Sequence, residues 1–273
     1  MGLVAETTGG RVRGAEADDK ILIWRGIPYA APPVGPLRWR LPQRPRPWSG
    51  VRDATGWGAP SLQPAMPASA LAGAPLSPPA PPPAEDCLFV NVTAPADARE
   101  RPVLVWLHGG GYQIGSGPDT AGAGIAFART HGIVVVTFNY RLGALGYLSL
   151  DGEEHTGAYG LHDQIALLGW VRDNIAAFGG DPRQITIYGV SAGAKSVGNL
   201  MASPLARGLF HRAGAPAQAA GLPRWPEYTL EQRFTMIFAT DGARVEPDPD
   251  TARRTPWDGR DWQPGIWYQI DGI

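Results

Sequence analysis

Two glycine-rich segments of this 273-residue chain carry residues suited to one reaction. Gly189-Val190-Ser191-Ala192-Gly193 follows the apolar run Ile185-Thr186-Ile187-Tyr188, and His108-Gly109-Gly110-Gly111 follows Val103-Leu104-Val105-Trp106-Leu107. In a Gly-x-Ser-x-Gly turn the glycines lie where a strand bends sharply into a helix. The serine between them is held in a strained backbone conformation with its hydroxyl exposed. A His-Gly-Gly-Gly run offers backbone N–H groups with no Cβ in the way, which is what a developing tetrahedral oxyanion needs. Together the segments point to acyl transfer with Ser191 as nucleophile. An absence weighs equally: no histidine occurs between Arg212 and Ile273, yet a serine of this kind works with a histidine base.

The elements that must position these residues can be read from the pattern. Leu88-Phe89-Val90-Asn91-Val92, Val103–Leu107, Ile133–Phe138 and Ile185–Tyr188 are short β-rich runs. The second and third are continuously apolar, as expected for central strands covered on both faces. Leu161, Ile165, Leu168, Val171, Ile175 and Phe178 recur at helical spacing, and Gly179-Gly180-Asp181-Pro182 stops that helix. A second helix runs from Ala192 to near Pro204. Alternating β and α units predict an α/β fold with a mostly parallel sheet, flanking helices and a site at the carboxyl ends of the strands.

The first sixty residues read as turn-punctuated strands and loops without helices. Residues 64–84 are dominated by Pro, Ala, Ser and small apolar side chains, which bury too little surface to order themselves, and are expected to form a mobile loop. A net charge of −1 with no basic stripe argues against nucleic acid or an anionic membrane as partner. The partner is expected to be a small molecule. The N-terminus lacks a basic region followed by an apolar stretch, and no segment is apolar for long enough to span a bilayer, so a soluble, cytoplasmic protein is expected. The single cysteine, Cys87, fits a reducing compartment and reads as a small buried hydrophobe at the head of a strand.

Further motifs stand in order along the chain: Gly26-Ile27-Pro28-Tyr29-Ala30, Glu85-Asp86-Cys87-Leu88, Asn139-Tyr140-Arg141-Leu142-Gly143, Tyr159-Gly160-Leu161, Asp163-Gln164 and Asn174–Pro182. With the two glycine-rich segments, they make residues 1–213 resemble the type-B carboxylesterases, the α/β-hydrolase family that includes the cholinesterases. The resemblance implies an α/β-hydrolase fold and a carboxylic ester as substrate, with no cofactor and no metal. It implies Ser191 as nucleophile and the backbone N–H groups of Gly110, Gly111 and Ala192 as the oxyanion hole. It also implies two structural ion pairs, Arg38 with Glu85 and Arg141 with Asp181. Val190 stands where the family often has Glu, a position that tolerates either.

The larger departure follows the elbow. The family places an acid and then a histidine there, whereas Leu222–Tyr228, with Thr235–Phe238, resemble the extreme C-terminal end of bacterial members. Residues 1–213 then read as the first part of an α/β-hydrolase domain, truncated after the elbow, and 214–273 as the tail of the same domain. An internal deletion is the simplest account. Neither acid nor base is identified for the triad. His108 has a structural place in its motif, His131 is expected at the end of the sheet opposite the elbow, and His155 and His162 read as caps or surface residues. His211 is expected at the far edge of the sheet. Residual turnover by such a chain is expected to be slow. The rival readings are a non-catalytic α/β-hydrolase-like binding protein and a non-functional deletion product. The loss also predicts that Ile185–Tyr188 becomes an open sheet edge prone to self-association, because Arg212–Ala217 is interrupted by Gly and Pro, unless Arg233–Ala239 covers it.

Overall fold

The computed structural model describes residues 2–18, 20–64, 79–149 and 157–215. His155, residues 65–78 of the 64–84 loop and the tail from 216 onward, including Arg233–Ala239, lie outside the described residues. Ten strands are described: β1 (Val4–Thr7), β2 (Gly10–Arg13), β3 (Ala15–Asp18), β4 (Ile21–Pro28), β5 (Val51–Asp53), β6 (Phe89–Pro95), β7 (Arg101–Leu107), β8 (Val134–Phe138), β9 (Gly180–Gly189) and β10 (Arg212–Gly214). The helices are α1 (Ala121–His131), α2 (Gly143–Tyr147), α3 (Tyr159–Asn174) and α4 (Ala192–Ala202).

Seven strands form the main sheet in the order β10-β9-β7-β8-β6-β4-β3, and β1, β2 and β5 form a small second sheet. The main sheet is parallel where the glycine-rich loops leave it, from β8 through β7 and β9 to β10. It is antiparallel through β6, β4 and β3. The alternation of side chains sorts the two faces. Val134 and Val136 pack into the large core with Val171, Val197 and Leu200 of α3 and α4, while Val135 turns to Ala128 of α1. Strand β4 runs from Ile21 through Gly26 to Pro28, with a register shift that the positive φ of Gly26, 62°, makes feasible.

One expectation is corrected. Ile185–Tyr188 is not the sheet edge, because Arg212, Ala213 and Gly214 pair in parallel with Thr186, Ile187 and Tyr188. The glycine counted against this strand is what admits it: a Cβ on Gly214 would lie 2.7 Å from Cδ2 of Tyr188. The proline lies at position 216, beyond the last paired residue.

Candidate active site

Strand β9 ends at Gly189, and α4 begins at Ala192. The turn between them places Ser191 at φ 59° and ψ −122°, a backbone conformation that costs a non-glycine residue about 1–3 kcal/mol. Close packing holds it there. A methyl group on Gly189 would strike the backbone of Gly193, and one on Gly193 would strike the carbonyl of Leu107 at the end of β7. Both glycines are therefore required by approach distance. The helix begins at once, with the Gly193 N–H donating to the Val190 carbonyl at 3.0 Å and the Lys195 N–H to the Ser191 carbonyl at 3.1 Å.

The second loop leaves the neighbouring strand and meets the first. A Cβ on Gly109 would lie 2.7 Å from the Val190 oxygen and 3.2 Å from Cβ of Ser191. Gly110 and Gly111 follow with φ of 111° and 62°, which glycine adopts without a Cβ penalty. The Gly110 carbonyl accepts from the N–H groups of Gln113 and Ile114, both at 3.1 Å, closing a tight turn. The structure therefore brings Ser191, Ala192 and the Gly109–Gly111 loop together at the carboxyl end of the sheet.

His108 lies beneath that loop, 3% exposed and stacked on Tyr140 at 4.3 Å. Its Nδ1–H donates to the Gly109 carbonyl at 2.9 Å, and the Tyr140 hydroxyl donates to the His108 carbonyl at 2.9 Å. In a trans peptide the carbonyl and the following N–H point opposite ways. Anchoring the Gly109 oxygen on the ring thus turns the Gly110 N–H away from it. Burial lowers the His108 pKa to about 4, partly opposed by the bond to Gly109. The folded protein holds this ring neutral where the unfolded chain already protonates it. Its contribution is nil above about pH 6.5, and stability is lost as pH falls from there towards about 4, by about 3 kcal/mol in all. Urea midpoints measured at pH 7 and pH 4.5 are expected to converge in His108→Gln relative to the parent. An unchanged pH slope in that variant would assign the loss to other groups.

The family model that describes the carboxylesterase family matches residues 2–215. The chain belongs to the carboxylesterase family. It is 41% identical over 257 residues to the phenmedipham hydrolase of Pseudarthrobacter oxydans, covering 93% of this chain and 50% of that one. It is 43% identical over 213 residues to the para-nitrobenzyl esterase of Bacillus subtilis, covering 77% and 42%. Among solved structures, a thermophilic pNB esterase superposes with a TM-score of 0.72 at 40% identity, covering 80% of this chain and 46% of that one. The α/β-hydrolase carboxylesterase fold follows. The chain spans about half the length of the curated relatives it matches.

None of the described histidines of this family member is hydrogen-bonded to the Ser191 side chain. His131 ends α1 at the opposite end of the sheet, three residues before β8. His211 stands at the far edge, its Nδ1 accepting from the Ile185 N–H at 3.3 Å. His162 differs from expectation: it is 8% exposed in the first turn of α3, because that turn is covered on every side and leaves no solvent face. Among the described residues no group of three His, Cys, Asp or Glu is placed to hold a metal, and no helix is long and apolar enough to cross a membrane.

Of the two ion pairs, Arg38–Glu85 is present, with Nε to Oε2 at 2.7 Å and Nη2 to Oε1 at 2.7 Å. The Arg38 hydrogen bond lowers the Glu85 pKa. The other is corrected. Arg141 pairs with Asp163, not Asp181, at 2.7 Å between Nη2 and Oδ1. Asp181 stands at the start of β9, the opposite end from the elbow, and binds Arg183 and Gln184. Arg141 leaves β8 at the end where α3 begins, which puts Asp163 in its path. Cys87 is fully buried, and burial raises its thiol pKa, matching its reading as a small hydrophobe.

Proposed function

We propose that this chain transfers the acyl group of carboxylic esters to Ser191 and then to water, with Gly110, Gly111 and Ala192 N–H groups as the oxyanion hole. The observation that carries the reading is the Ser191 backbone at φ 59° and ψ −122°, set against the Gly109 loop. Ser191 Oγ bonds to the ester carbonyl carbon, its proton passes to solvent, and the carbonyl oxygen takes the negative charge facing the loop. The tetrahedral adduct collapses as its carbonyl re-forms and the C–O bond to the leaving group breaks, and the departing alkoxide takes a proton from solvent to leave as the alcohol. Water then cleaves the acyl-enzyme by the same route. The chemistry requires no cofactor. The relative named para-nitrobenzyl esterase supports an ester substrate.

With no described histidine bonded to Ser191, acyl-enzyme turnover by this chain is slow in this reading. The same observation supports a second reading, a hydrolase-like protein that binds ligands without chemistry. Both sit in the cytoplasm, a placement supported by the one buried, unpaired cysteine. A fluorophosphonate probe followed by peptide mass spectrometry separates them. Adduct on Ser191 that disappears in Ser191→Ala supports acyl transfer. Adduct on another residue, or none after prolonged incubation, overturns it in favour of binding.

A further inference from the structure

Beneath the site, three buried polar side chains from three separate elements form a chain. Gln164 of α3 is 0% exposed, Ser196 of α4 is 1% exposed, and Tyr112, the residue after Gly111, is 7% exposed. The Gln164 Nε2–H donates to Ser196 Oγ at 3.0 Å, and the Ser196 hydroxyl donates to Tyr112 Oη at 3.4 Å. Such groups cost stability when buried unless they are paired, and the core here retains them although an apolar side chain would fill each place. Tyr112 is itself constrained. Its φ is 60°, its carbonyl accepts from the Gly143 N–H at 2.7 Å, and Tyr147 packs on its ring at 4.8 Å.

We propose that the Gln164–Ser196–Tyr112 chain is the positioning device that sets the oxyanion loop against the nucleophile. The logic is one of two clamps. The loop is held before Gly109 by His108 on Tyr140, and after Gly111 by Tyr112. Of these, Tyr112 is the one whose side chain is hydrogen-bonded to the helix that follows Ser191, since Ser196 lies on α4, five residues beyond the nucleophile. Gln164, rooted in α3, fixes the rotamer of Ser196 so that its hydroxyl faces Tyr112 and not its own helix backbone. The loop's donors and the elbow therefore share one anchor, as a pre-organised oxyanion site requires. These are positioning residues; none of them touches the ester. The inference rests on the acyl-transfer reading for its purpose, and its geometry is testable apart from it.

The test uses the full chain and the variants Ser196→Ala, Tyr112→Phe and Ser196→Thr. Backbone hydrogen exchange of the Gly110–Tyr112 amides is expected to quicken about tenfold in the first two, while β8 amides stay unchanged. Ser196→Thr, which keeps the hydroxyl, is expected to restore parental exchange. Saturation of fluorophosphonate labelling then separates the maximal inactivation rate from the apparent binding constant. The rate is expected to fall about tenfold in Ser196→Ala and in Tyr112→Phe with binding unchanged, and no further in the double variant. Parental exchange in both single variants overturns the inference whether or not Ser191 is labelled. So does Ser196→Thr behaving like Ser196→Ala. Altered exchange without any labelling of the parent keeps the clamp and rejects acyl transfer.

Discussion

Hydrolysis of p-nitrophenyl acetate by this chain is expected to run about 10³–10⁴-fold above the uncatalysed rate, far below that of an esterase with a complete triad. Removing the base costs about 10⁶ in kcat in the serine protease subtilisin, and a comparable deficit is expected here. In the proposed acyl-transfer reading, what remains is the part of catalysis that a strained serine and oriented N–H groups supply. The deficit in that reading is one of proton transfer, so a diffusible base is expected to reduce it. Ser191 is partly exposed, so imidazole has access to its hydroxyl. In buffered solution at pH 7.5, turnover by the parent is expected to rise in proportion to added imidazole, above the slope that imidazole gives with Ser191→Ala. Equal slopes for parent and Ser191→Ala would exclude a base-limited serine. Turnover within tenfold of full-length esterases without imidazole would show that another group already acts as base.

Asp163→Ala is expected to lose about 3–5 kcal/mol of folding stability, read from the shift in the guanidinium midpoint at constant slope. Asp163 is 0% exposed in its side chain and Arg141 is 2% exposed. The carboxylate accepts from Arg141 Nε at 2.8 Å, from Nη2 at 2.7 Å and from the Arg141 backbone N–H at 3.0 Å. Burial works against the Arg141 charge, yet the charge and hydrogen bonds of Asp163 outweigh it and raise the guanidinium pKa. Removing the carboxylate leaves that cation buried with, among the described residues, the Arg40 carbonyl at 2.9 Å and the face of Tyr159 as partners. Arg141→Met with Asp163→Leu is expected to cost less than Asp163→Ala alone, because it leaves no unpaired charge. Asp181→Ala, whose partner Arg183 is 77% exposed in its side chain, is expected to cost far less. The reverse ranking of Asp163 and Asp181 would contradict the pairing.

Much of the site was legible in the chain because its glycines are forced by contact. Gly189 and Gly193 mark where two backbones nearly touch, and Ile185–Tyr188 before them could only be a strand. The partner of Arg141 was not legible: Asp163 and Asp181 are equally acidic, and only the knowledge that they lie at opposite ends of the sheet separates them. His162 misled for a related reason. Tyr159 to Gln164 are all buried, so the first turn of α3 has no polar face for periodicity to reveal. The Gln164–Ser196–Tyr112 chain gave a faint signal, since Gln164 and Ser196 are polar residues on the buried sides of α3 and α4. Strand β10 was missed because glycine was read as an interruption and not as room for the Tyr188 ring.

The order of strands in the main sheet also sets when they can form. Strand β7 pairs on one side with β8, where Val103 meets Val134, and on the other with β9, where Val103 meets Ile185. The second partner lies 82 residues further along the chain. Such distant pairings make folding slow, because a long loop must close before any contact rewards it. During synthesis at about 5–20 residues per second, β7 waits roughly 4–16 s for β9 to emerge. Through that interval one rim of the β7–β8 pair has no neighbour. A ribosome-bound intermediate with β8 already docked on β7 is thus the form of this protein most in need of a chaperone.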